Sequence, residues 1–333
     1  MSEYKEIKGL AIQTLASDPS TLYKGQTWYN TTDEKLRVRT LGAAAWSVGG
    51  TNPDGAEPSC AAGGISSDAV IVGGGGPSPT SATTNEYNGS AWSEMTSMII
   101  GRTSTSGFGS GTTLMVASGS TTGPGAGNVA NCETFNGSAW SETVNLGSSR
   151  YQTTGVGSTA NTTGLIVGGS PGYTGKTEEW NGIAWTEKGD AIHGRDMMSR
   201  KGPGTVTAAL VAAGRGGYPS SPHPQYNAEV EEFNGIAWSE QDNLISACTG
   251  PFGFGVVTDG VVGGGSAPTA LTSVELYNGT TWSSGTAFPG PGMAGNTGTG
   301  TASNALVSAS ATGIAGASFE YVKGAVTEDV TTS

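Results

Sequence analysis

Along the chain, short apolar runs that end in small residues alternate with long polar stretches. They read Val70 to Gly76 (VIVGGGG), Leu114 to Ser120 (LMVASGS), Leu165 to Ser170 (LIVGGS), Leu210 to Gly214 (LVAAG), Val261 to Ser266 (VVGGGS) and Leu306 to Ser310 (LVSAS). Four or five consecutive apolar residues bounded by glycine predict a strand buried on both faces. No apolar pattern keeps a helical period for long.

A second pattern is locked to the first. Five segments read aromatic-Asn-Gly-x-x-Trp: Tyr87 to Trp92, Phe135 to Trp140, Trp180 to Trp185, Phe233 to Trp238 and Tyr277 to Trp282. Asn-Gly between two strand-like runs predicts a hairpin with a type I′ turn, which needs positive φ at both central residues. A two-residue turn puts Tyr87 and Trp92 on one face, where they can pack against the next unit; a three-residue loop with a bulge reverses that parity. A degenerate copy, LGAAAW, ends at Trp46, and another, EYVKGAV, spans Glu320 to Val326. Successive copies lie 44 to 53 residues apart. That period overlaps the blade lengths of β-propellers and predicts an all-β, six-bladed propeller. Its repeats are approximately 47–92, 93–140, 141–185, 186–238, 239–282 and 283–326, within a domain 47–333. Trp92, Trp140, Trp185, Trp238 and Trp282 are its structural repeat positions.

Composition sharpens this. The 333 residues include 56 glycines, and glycine costs a helix about 1 kcal/mol per position relative to alanine. Eight tryptophans argue against disorder. Only 13% of residues are charged, with a net charge of −12. Residues 1–46 hold six Lys/Arg and five Asp/Glu, so about −13 falls on the remainder, a field that repels nucleic acid and anionic membrane surfaces. The start, MSEYKEIKGL, lacks the pattern of a signal peptide, and no apolar run reaches the roughly 18 residues of a membrane span, so synthesis in a cytoplasm without membrane insertion is expected. Cys60, Cys132 and Cys248, far apart and odd in number, suggest buried thiols rather than disulfides or a zinc site.

The apolar run, Gly-Gly, variable loop, aromatic and Trp resemble the kelch motif over residues 47–326. Arg102, Arg150 and Arg195, each ten residues after a blade-ending Trp, fall where kelch repeats often place an Arg; Ala56, Cys248 and Gly292 hold that offset elsewhere, and Gly-Gly is lost in units two and six. Segments such as EYNGSAW and FNGIAWSE, with low charge and much Ser, Thr and Gly, resemble the kelch-like virion proteins of tailed, particularly marine, bacteriophages. Gly25 to Trp46 (GQTWYNTTDEKLRVRTLGAAAW) is similar to a short strand module of phage tail and fibre proteins. The resemblance implies a virion location, multiple copies per particle, and a capsid- or tail-attached role as decoration, fibre or host-adhesion module.

Residues 1–46 form an N-terminal β segment, with short strands at Gln26 to Asn30 and Leu36 to Thr40 and turns at Asp18-Pro19-Ser20 and Asn30-Thr31-Thr32-Asp33. Six units are complete without it, which favours docking on another virion protein over closing the ring.

Catalytic chemistry finds little support. His193 and His223 read as solvated loop histidines, and no GxSxG, HExxH, EF-hand loop, CxxC or Asp-box sequence occurs, so no catalytic residue, metal or cofactor is expected. Glu86, Glu133, Glu178-Glu179, Glu231-Glu232, Glu275 and Glu320 recur at neighbouring repeat positions, which suggests outer-strand charges that discourage edge pairing. Binding candidates are Arg215, Tyr218, His223 and Tyr226 in the longest loop, a surface for host glycan or protein contact. Arg102, Arg150 and Arg195 either gather as a basic cluster at the channel mouth or bond loop carbonyls and hold blades. The competing function is a glycan-active enzyme or lectin on a propeller scaffold.

Overall fold

The computed structural model describes residues 12–19, 25–53, 61–74, 80–123, 126–157, 160–216, 225–290, 292, 297–308 and 316–330; none of them is helical. The chain forms two compact units, one of residues 1–45 with 322–333 and one of residues 46–321.

The larger unit is propeller-like, a series of small antiparallel sheets. Sheet I holds Ala61–Ile65, Asp68–Val72, Thr84–Tyr87 and Trp92–Met95; sheet II holds Ser106–Gly109, Leu114–Ala117, Cys132–Phe135 and Trp140–Thr143. Sheet III holds Thr154–Gly157, Gly164–Val167, Thr177–Trp180 and Trp185–Glu187; sheet IV holds Gly204–Thr205, Ala208–Ala212, Val230–Phe233 and Trp238–Glu240. Sheet V holds Phe252–Val256, Asp259–Gly263, Val274–Tyr277 and Trp282–Ser284. Sheet VI is ordered Thr297–Thr301, Asn304–Ser308, Ala317–Asp329, Lys35–Thr51, so its fourth strand comes from the N-terminal part of the chain.

The second strand of each sheet is apolar on both faces because it is covered on both. Leu114 and Val116 of sheet II pack with Val70 and Val72 of sheet I, while Met115 and Ala117, pointing the other way, pack with Ile166 of sheet III. The same arrangement links III to IV through Leu165, Val167, Ala209 and Val211, and IV to V through Leu210, Ala212 and Val262. Phe254 of V lies against Tyr321 of VI, and Leu306 of VI against Ala69 and Tyr87 of I. First strands touch in the same order, from sheet I through VI and back to I.

The tryptophans follow this order too, but they lock onto the preceding sheet, not the next one. Trp140 Nε1 donates to Thr96 O, Trp185 to Val144 O, Trp282 to Asp242 O, Trp46 to Thr286 O and Trp92 to Gly50 O, each carbonyl four residues past the preceding sheet's Trp. Trp238 instead donates to the Thr177 hydroxyl of sheet III at 3.0 Å.

The hairpins differ from the expected type I′ turn. Tyr87 sits directly opposite Trp92, and four residues join them. Asn88 Oδ1 accepts the N–H groups of Ser90 and Ala91 while Gly89 alone takes positive φ, at 92°. Asn136, Asn181, Asn234 and Asn278 do the same in their turns. The side chain of Asn thus supplies the turn geometry that two left-handed residues supply in a tighter loop. Aromatic and Trp still share a face, with ring centroids 4.8 to 5.3 Å apart in the five copies.

Two further expectations change at sheet VI. EYVKGAV contains no turn, because Ala317–Asp329 is one continuous strand. The tryptophan that pairs with Tyr321 is Trp46, at 4.9 Å. The sixth aromatic–Trp pair is therefore assembled from sequence-distant strands, and the sheet is not complete without residues before 47. Ring pairing and edge satisfaction both favour this: a three-stranded sheet VI would leave Ala317–Asp329 as an open edge.

The smaller unit pairs Thr27–Asn30 antiparallel with the start of Lys35–Thr51 and parallel with Gln13–Leu15. Lys35–Thr51 runs well beyond the expected Leu36 to Thr40. Trp28 is buried there, and Asp18 Oδ1 accepts its indole N–H at 3.0 Å, the Asn30 amide at 3.0 Å and the Arg37 guanidinium at 2.6 Å. The Arg37 hydrogen bond is the main influence holding the Asp18 carboxyl below its usual range.

Candidate functional site

The repeated arginines make no exposed cationic cluster. The side chains of Arg102, Arg150 and Arg195 are 0, 2 and 0% exposed and pair with Glu133, Glu178 and Glu231 of their own sheets at 2.8, 2.6 and 2.8 Å. Each guanidinium also donates to two loop carbonyls: Ser118 and Asn131, Gly168 and Lys176, Ala213 and Glu229. The carboxylates accept backbone N–H groups of Ile99, Gly147 and Ile192 in return. One buried ion pair thereby ties three segments of a sheet. Burial pushes the Arg102 and Arg150 pKa values down, opposed by the neighbouring glutamates.

The glutamates occupy two distinct positions, and the buried one is not an outer-strand charge. Glu133, Glu178, Glu231 and Glu275 lie buried on third strands, whereas Glu86, Glu179, Glu232 and Glu320, one residue further on or in register with it, are half-buried. In sheet V the Arg position is Cys248, and Glu275 is held by the N–H groups of Ile245 and Ser246 at 2.7 and 3.0 Å; burial raises its carboxyl pKa. In sheet VI the positions are Gly292 and buried Phe319, so both charges are gone together.

Among the loop candidates, Arg215 has the most elaborated surroundings. It lies after the second strand of sheet IV, in a two-residue ladder that pairs Arg195–Asp196 with Arg215–Gly216. Its Nε and NH2 meet Asp196 Oδ1 and Oδ2 at 2.9 and 3.0 Å, NH2 reaches Gln152 Oε1 at 3.3 Å, and the guanidinium lies 6.0 Å from the Tyr173 ring centre. Asp196 is fully buried and also accepts the Ser170 hydroxyl at 2.5 Å. Hydrogen bonding to Asp196 raises the Arg215 pKa. A fork held on both oxygens of a buried carboxylate, one third exposed and beside an aromatic ring, is a pre-oriented recognition group. Half-buried Tyr226 adjoins Asn227, whose amide bonds the carbonyl of Gly216. Tyr218 and His223 lie outside the described residues. His193 is not a solvated loop residue: its side chain is 15% exposed and Nε2 lies 2.9 Å from Glu240 Oε1.

A separate cleft of about 300 Å³ opens beside Trp185, lined by Val144, Asn145, Lys176, Glu178 and Glu187 among others. Among the described residues no group of three or more His, Cys, Asp or Glu could hold a metal ion, and no helix is long and apolar enough to cross a membrane. Asp196, Gln152 and Tyr173 escape a sequence reading because they come from two different repeats and from segments far apart in the chain. Lys201 could have been found by aligning the first strands, since SRKGPG places a lysine where sheets II, III, V and VI put Ser, Thr or Phe before Gly.

No protein-family model matches the chain, and no curated protein matches it. A solved structure described as "Structure of YjhT" superposes with a TM-score of 0.63 at 12% sequence identity, over 84% of this chain and 99% of that one. At that identity the likeness concerns the fold alone.

Proposed function

We propose that this chain is a six-bladed, kelch-like propeller serving as a non-enzymatic structural and binding component of a tailed-bacteriophage virion. It sits on the capsid or tail in multiple copies, attached to other virion proteins through its N-terminal segment. The observation that carries the reading is the pairing of Trp46 with Tyr321. A ring clasped by its own N-terminal strand has its weakest joint covered, which suits a module exposed outside a cell without disulfides. The repeat charges support it as well, since arginines and glutamates that hold loops are committed to architecture. Mass spectrometry and cryo-EM of purified particles of the encoding phage test the proposal: the chain should appear at a symmetry-defined position, and its absence from particles overturns it.

The Arg215 cluster favours a second reading, a lectin or glycan-active enzyme. Incubation with host surface polysaccharide separates the two, because release of reducing ends would require an enzyme.

A further inference from the structure

Lys201 lies three residues before the short first strand of sheet IV and sits among the first strands of the ring. Gly155 of sheet III pairs with it, and a Cβ on Gly253 of sheet V would meet its carbonyl at 2.6 Å. Its ammonium reaches across to Thr299 of sheet VI, whose hydroxyl accepts at 3.0 Å and itself donates to Gly64 O of sheet I at 2.8 Å. The side chain therefore spans the zone where the sheets converge.

An ammonium carries three donors, and among the described residues this one has a single acceptor and no carboxylate in ion-pair contact. Burial alone accounts for its lowered pKa, and no neighbouring charge opposes it. Arg102, Arg150 and Arg195, buried like it, each have a glutamate. Two hydroxyls of neighbouring segments, those of Thr297 and Ser199, are buried with no hydrogen-bond partner among the described residues. Thr297 Oγ1 lies on the same strand face as Thr299, two residues back, and Ser199 Oγ is beside Gly253, where the Lys201 carbonyl also lies. An ammonium with two N–H groups unspent, on a side chain without a countercharge and next to a strand whose free hydroxyl can turn its O–H outward, suits a negative ligand small enough to fit between packed strands.

We propose that Lys201, with the Thr297 hydroxyl, binds a small monovalent inorganic anion of halide size within the ring. The anion supplies the missing countercharge and so links the convergent first strands of sheets IV and VI.

Crystals of the full chain grown in sodium bromide supply the first readout: an anomalous difference peak within hydrogen-bond reach of Lys201 Nζ. The second is thermal and urea unfolding across a chloride series, with gluconate holding ionic strength constant. For the wild type, each tenfold rise in chloride above the dissociation constant should multiply the folding equilibrium constant by about ten. Lys201→Met should show neither peak nor slope, and Thr297→Val should shift the midpoint of the chloride dependence upward. No peak, or a peak accompanied by equal chloride slopes in wild type and Lys201→Met, overturns the site; the latter result means an adventitious ion only. Should Lys201→Met fail to fold, the bromide peak and the Thr297→Val shift decide.

Discussion

Arg102→Met isolates the ion pair on which the repeat architecture rests. The substitution keeps much of the apolar stem and removes a guanidinium that makes one bond to Glu133 and two to the carbonyls of Ser118 and Asn131. Glu133 stays fully buried with the N–H groups of Ile99 and Ile100 at 2.7 and 3.3 Å, the situation Glu275 already occupies opposite Cys248. Breaking a buried pair by removing one partner costs about 3–5 kcal/mol, and the two remaining N–H donors place this case near the lower figure. The stranded carboxylate should then titrate upward, as burial makes Glu275 do. A carboxyl whose folded pKa is raised contributes stability below its unfolded value, near 4.5, that is lost as pH rises through the folded value. The deficit of Arg102→Met should accordingly be larger at pH 7 than at pH 4.5. Arg102→Met/Glu133→Leu, which removes both charges as Gly292 and Phe319 do in sheet VI, should recover most of the loss at pH 7. Urea unfolding followed by tryptophan fluorescence at the two pH values measures all of this. A single variant within about 1 kcal/mol of wild type at pH 7, or a double variant as unstable as the single, would refute the reasoning.

Trp46→Ala removes an aromatic partner of Tyr321 and the donor to Thr286 O; because the ring is half-buried, a loss of about 2–3 kcal/mol in urea unfolding, with faster proteolytic release of the N-terminal residues, is the expected result. Gly169→Ala puts a Cβ 2.7 Å from Tyr151 O at φ 105°, whereas at Gly172, with φ 86°, nothing lies within 4 Å. Circular-dichroism melts should therefore show Gly172→Ala costing only about 1–2 kcal/mol and Gly169→Ala distinctly more. Burial pushes the Cys132 and Cys248 thiols up to about 12, so a disulfide reagent at pH 8 should leave both unmodified in the folded chain and titrate all three cysteines after denaturation.

Much of the architecture is legible in one dimension because the repeat writes it several times. Runs such as Leu114 to Ala117 announce strands covered on both faces, and the Asn-Gly-x-x-Trp segments announce hairpins, because burial and turn geometry act on neighbouring residues. Period and strand type need no knowledge of distant residues. The turn itself is not legible: Asn-Gly fits a two-residue loop, yet the Asn88 side chain caps a longer one, a choice decided by hydrogen bonds to Ser90 and Ala91. The recurrent glutamates were equally ambiguous, since consecutive strand residues point to opposite faces and only the sheet shows that Glu178 meets Arg150 while Glu179 meets Lys188.

What the amino-acid order determined alone is therefore the repeating unit: a both-faced apolar strand, a glycine turn and an aromatic–Trp hairpin, all set by contacts within some fifty residues. Only the tertiary structure decided that Trp46 meets Tyr321, that Arg102 is spent on Glu133, that Asp196 orients Arg215 beside Tyr173, and that Lys201 points at Thr299. Those contacts join residues up to 275 positions apart, and they exist because the sheets return on themselves; no local pattern can carry the consequences of closing a ring.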